Sequence, residues 1–90
     1  MNMISSTKIV NSYEVEILFV LEPWGEQYKM QPKASFIIVA SAPSVGQLDI
    51  QIQEKRITVF GWTGSTVQLF QDGTEVGGSN SQAQQKFGRV

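Results

Sequence analysis

The segment Gln47-Leu48-Asp49-Ile50-Gln51-Ile52-Gln53 constrains this chain more than any other. Polar and apolar residues alternate strictly, which an extended backbone turns into one apolar and one polar face. Leu48, Ile50 and Ile52 are expected inside, with Asp49, Gln51 and Gln53 outside. The charged triplet Glu54-Lys55-Arg56 then reads as a tight hairpin turn, and Ile57 to Trp62 as the returning strand, rich in β-branched and aromatic residues.

The same punctuation recurs along the chain. Tyr13 to Leu21 places Tyr13, Val15, Ile17, Phe19 and Leu21 on one face. Glu14 and Glu16 start its other face, and Leu18 and Val20 finish it, so its far end is covered on both sides. Pro23 stops that strand, because it cannot donate to a ladder, and Gly25 permits a turn. Glu26 to Met30 is a short strand, Pro32 suits the second position of a turn, and Ser35 to Ser41 is a further strand. Ala42 to Gly46 is a loop. Thr66 to Gln71 is a strand, and Asp72-Gly73 is a hairpin signal toward Thr74-Glu75-Val76. Met1 to Asn11 is a polar lead-in ending in Ile9-Val10, either an edge strand or loose chain. No helical pattern and no internal repeat intervene. Six to eight short strands predict an all-β fold, a small antiparallel β-sandwich or barrel, with a jelly-roll or cupin-like arrangement among the options.

Ninety residues make one domain, expected over residues 1–78. From Ser79 to Gln85 the chain contains only Ser, Asn, Gln and Ala, so residues 79–90 are expected to be a flexible polar tail, with Phe87 its only large apolar group. A domain this small buries only about 60% of the surface of its unfolded chain, and oligomerisation is a common way to bury more. There is no Cys for a disulfide or thiolate metal site, and no His. Seven basic and eight acidic residues give a net charge of −1, and the basic ones are scattered. Without a basic stripe to neutralise phosphates, nucleic-acid binding is not expected. Unbroken apolar runs such as Ile17 to Leu21 are far too short to cross a bilayer, so no membrane partner is expected. The first ten residues hold no apolar run fit for a signal-peptide core, which places the chain in the cytoplasm by default.

Chemistry-bearing residues concentrate in Glu22-Pro23-Trp24-Gly25-Glu26-Gln27-Tyr28, between the first two apolar strands. If that segment is extended, Trp24, Glu26 and Tyr28 share a side, and two rings flanking a carboxylate can stack on a sugar-like ring. Equally, Trp24 can plug one end of the fold while Glu26 caps backbone donors. Glu22 and Glu26 could form a carboxylate pair at the ~5–10 Å spacing of glycosidases, or remain two solvated charges. Trp62, within Gly61-Trp62-Thr63-Gly64, could line a pocket mouth or pack at a strand end. A Ser or Thr nucleophile lacks a His base, and no phosphate, dinucleotide or calcium loop is present.

The block Leu21-Glu22-Pro23-Trp24-Gly25-Glu26, the following Tyr28, and Gly61-Trp62 with Gly64-Ser65-Thr66-Val67 resemble a group of short uncharacterised bacterial all-β proteins. The resemblance runs from Tyr13 to Glu75 and implies a fold without an activity. Strand lengths and turns also look like a minimal cupin or jelly roll. Cupins hold their metal through His ligands, which this chain lacks, so neither metal nor other cofactor is expected.

Two functions lead, ahead of an enzyme as the third. The first is a non-enzymatic, self-associating protein-interaction module, a homo-oligomer with room for an unidentified protein partner. Its warrant is the two-sided apolar character of Ile17 to Leu21 and Phe36 to Ala40 in so small a domain. The alternative is a small-ligand binding barrel, with Trp24, Glu26, Tyr28 and Trp62 around its opening. Because large rings are usually well buried, Trp24→Ala is expected to lower stability by ~3–5 kcal/mol in denaturant unfolding. Unchanged stability, with a Trp fluorescence response to added sugars, would favour the ligand reading.

Overall fold

Each run of alternating residues becomes a strand, and the strands sort into two layers. The computed structural model describes residues 2–79. β1 (Met3–Val10), β4 (Ser35–Ala42), β7 (Thr66–Gln71) and β8 (Thr74–Gly78) form one four-stranded sheet in that order. β3 (Glu26–Met30), β2 (Ile17–Glu22), β6 (Arg56–Phe60) and β5 (Asp49–Gln53) form the other. The all-β sandwich expected of the sequence is the fold found. Its hairpin and cross-strand pairings are antiparallel, but β2 and β6 run parallel, Phe19 beside Ile57 and Leu21 beside Val59. The chain reaches that pairing by passing through β4 of the opposite sheet between them.

The core lies between the layers. Phe19 and Leu21 of β2, Met30 of β3, Ile38 and Ala40 of β4, Val59 of β6 and Leu69 of β7 are wholly buried there. A large apolar side chain fully removed from water contributes roughly 1.5–3 kcal/mol, so this contact is the main source of stability. Asp72 and Gly73 both adopt left-handed backbone (φ 53° and 80°), the type I′ turn that Asp-Gly favours between antiparallel strands.

Several elements differ from the sequence expectation. The strand read from Tyr13 begins only at Ile17, and Tyr13 and Val15 are exposed in a loop. The cause is Asn11, a polar residue that is completely buried. Its Nδ2 donates to the carbonyls of Val15 (2.9 Å), Met30 (3.0 Å) and Gln31 (3.0 Å), and its Oδ1 accepts from Tyr13 N (2.9 Å). Its backbone N donates to Ala34 O and its O accepts from Lys33 N, both at 2.9 Å. Side-chain bonds to nearby backbone compete with a strand ladder, and here they win over the alternation of residues 13–16.

β5 forms where the alternation places it, but it is an edge strand. Ile50 is only half-buried and Ile52 is 71% exposed. The strand that follows ends at Phe60, leaving Trp62 beyond it. The lead-in becomes a full edge strand, β1, paired to β4 from Met3↔Ala42 to Val10↔Ser35. Ser79, read as the first tail residue, is fastened to the sheet just past the end of β8. It is buried, its N donates to Val67 O (2.8 Å), and its Oγ accepts from Val67 N (2.9 Å). The rest of the expected tail, residues 80–90 with Phe87, lies outside the described residues.

Asn11→Ala removes one donor group from three carbonyls and is expected to cost ~2–3 kcal/mol in urea unfolding. Asn11→Asp should cost more, because a carboxylate oxygen would then face those carbonyls. If both variants unfold like the wild type, Asn11 does not hold the loop.

Candidate functional site

Register decides where the chemistry-bearing residues point. Glu26 lies opposite Leu21, Tyr28 opposite Phe19 and Met30 opposite Ile17, so all three face the core. Glu26 is consequently only 4% exposed. The Tyr28 hydroxyl donates to Glu26 Oε1 (3.1 Å) and accepts from the backbone N of Gly78 (2.9 Å). That second bond runs from β3 to β8, joining the two sheets along one side of the sandwich. A Cβ at position 77 would run into the Tyr28 ring, so the close approach requires Gly77. Phe19, Tyr28 and Phe36 meet edge to face, with centroids 5.1 to 6.4 Å apart.

Trp24 and Trp62 are half-buried and pack against the core from different places. The Trp24 ring lies over Gly61, beside Ser65. The Trp62 indole lies against Gly46 of the β4–β5 loop, where a Cβ would overlap it. The turn after Trp62 is closed by Ser65. Its Oγ accepts from Trp62 N (3.0 Å) and donates to Trp62 O (2.7 Å). The Trp62 Nε1 is buried and meets no acceptor among the described residues. The indole borders a concavity of about 200 Å³, lined by Met3, Ile4, Ser5, Val45, Gly46 and Trp62.

Among the described residues, the four expected site residues therefore do not surround one opening. Glu26 and Tyr28 form an internal clasp, Trp24 packs on Gly61, and only Trp62 borders the concavity. Glu22 and Glu26 point to opposite faces of their sheet, since Glu22 lies beside Phe60 on the outer face. They do not form a carboxylate pair. Among the described residues no group of three His, Cys, Asp or Glu side chains could hold a metal ion. No helix there is long and apolar enough to cross a membrane. The β1 residues at the concavity carried no sequence signal beyond the short apolar pair Met3-Ile4, and Val45 lies in a loop.

The two sides of the sandwich differ. On one, Tyr28 ties β3 to β8. On the other, the sheets end at β5 and β1. The core-facing positions of β1 are Met3, Ser5, Thr7 and Ile9, opposite Ala42, Ala40, Ile38 and Phe36. Those of β5 are Ile50 and Ile52, opposite Val59 and Ile57. Met3 is 47% exposed and Ile52 71%, so this side is left open. No family model, no curated protein and no solved structure matches the chain.

Tyr28→Phe keeps the ring but leaves the buried Gly78 N–H without that acceptor. The expected loss is ~1–3 kcal/mol in urea unfolding. A variant as stable as the wild type would mean that the hydroxyl does not clasp the sheets.

Proposed function

We propose that this protein is a non-enzymatic interaction module that self-associates through the open β1/β5 side. The observation that carries the reading is Ile52, which occupies a core-facing register on β5 and yet is 71% exposed. Met3 repeats the pattern on β1. Apolar surface in contact with water costs about 25 cal/mol per Å², and a small domain gains stability by covering it with another chain. The scattered basic residues favour a protein partner over nucleic acid. The resemblance to short bacterial all-β proteins fits the same reading, as does a cytoplasmic setting.

A second reading rests on Trp62. Its concavity, of about 200 Å³, is smaller than the roughly 300–1,000 Å³ of drug-sized ligand pockets. Ser5 is the one hydroxyl-bearing side chain in a lining that is otherwise apolar or glycine, which suits a small apolar molecule better than a sugar. The unpartnered Nε1 would favour a ligand with one acceptor, reached by a shift of Gly46.

Sedimentation equilibrium at micromolar concentration tests the module. The wild type is expected to be a dimer or larger, and Ile52→Lys, which places a charge on the exposed inward position, to shift toward the single-chain mass. A wild type with the single-chain mass throughout would overturn self-association and leave the Trp62 concavity as the better lead.

A further inference from the structure

The open side carries two strand edges, and they are not equivalent. β5 offers five residues, bounded by Asp49 and by the charged Glu54-Lys55 turn. β1 offers eight, Met3-Ile4-Ser5-Ser6-Thr7-Lys8-Ile9-Val10, with Lys8 the one charge and no Pro or Gly. Its register with β4 is continuous over the full length. Edges of this length normally carry charges, bulges or Pro that prevent pairing with another chain.

We propose that β1 pairs antiparallel with β1 of a second copy, about a two-fold axis through Ser6, so that two sandwiches share one continuous sheet. This rests on the self-association reading and assigns it an edge and a register. The hydrogen-bonding groups point the right way. Asn11, which continues β1, turns both its N–H and its C=O toward residues 33 and 34. Because these groups alternate sides along a strand, Ile4, Ser6 and Lys8 turn theirs to the free edge.

Residue chemistry then selects the register. An axis perpendicular to the sheet keeps core-facing residues on the core face, so opposing residues share parity. Centred on Ser6, the axis sets Met3 against the partner's Ile9 and Ser5 against the partner's Thr7, an apolar pair and a hydroxyl pair. On the outer face it sets Ile4, 72% exposed, against the aliphatic stem of the partner's Lys8. No like charges oppose. Centred on Thr7, the same strand would set Ser5 against the partner's Ile9 and leave Met3 facing Asn11, which is already committed to its loop. Centred on Ser5, it would set Met3 against the partner's Thr7, an apolar side chain against a hydroxyl. β1 and β5 end the two sheets on the side opposite the Tyr28 tie, so the Ser6 axis also brings the two β5 strands toward each other.

Ser6→Pro is the test. By the same alternation, the Ser6 N–H makes no bond to β4, so a proline there removes an edge donor without breaking the β4 ladder. Expected are an unchanged circular dichroism spectrum and at least a 100-fold weaker dimer in sedimentation. A second measurement fixes the register. The native chain has no Cys, so equimolar Ser5→Cys and Thr7→Cys chains, mixed and mildly oxidised, should link mainly as the mixed disulfide, read by mass spectrometry. A wild-type dimer that survives Ser6→Pro and gives no excess of the mixed disulfide would overturn β1 pairing while leaving self-association intact. A wild type that never dimerises would overturn both.

Discussion

The contact of Phe19 and Leu21 with Ile38, Val59 and Leu69, in the space between two sheets, is what the rest of this structure depends on. None of the strands exceeds eight residues, and neither sheet could persist in water with its apolar face exposed. The two layers exist because each covers the other. The parallel pairing of β2 with β6 follows from the same requirement. It places β2, the strand with the densest run of large apolar residues, in the interior of its sheet, where Val20 is buried even on the outer face.

Around that core, a few polar side chains do what longer loops would otherwise have to do. Asn11 gathers the carbonyls of Val15, Met30 and Gln31 at one end of the sandwich. Ser65 closes the turn after Trp62, and Ser79 ends β8 against Val67. Each of these groups is buried and each is bonded, as buried polar groups must be. The indole nitrogen of Trp62 is the exception among the described side chains, and it sits beside the concavity.

The two sides of the sandwich solve the edge problem differently. At β3/β8 the Tyr28 hydroxyl occupies the Gly78 N–H and ties one sheet to the other, with Glu26 holding the hydroxyl in turn. At β1/β5 no comparable device appears among the described residues, and inward-facing Met3 and Ile52 meet water. Glu26 and Tyr28, two of the four residues that first suggested a binding platform, thus serve the closed side. Trp62 instead borders a concavity beside β1.

How much was legible follows from what a period of two can record. It marks which residues share a face, and β4, β6, β7 and the Asp72-Gly73 hairpin lie close to where the pattern puts them. It also brings Glu26 and Tyr28 to one side. It does not record which strands are neighbours. Ile50 and Ile52 alternate as cleanly as any core pair, yet β5 ends a sheet and Ile52 is mostly exposed. Asn11 in a polar stretch looked like any surface asparagine, because the carbonyls it binds include two that are 19 and 20 residues away. Sequence by itself determined the all-β class and most strand positions, since alternation and turn chemistry are local. Only the tertiary structure decided the edges, the separation of Glu22 from Glu26, the Tyr28 clasp and the open side. Those depend on what lies across the sheet, and no local pattern encodes that.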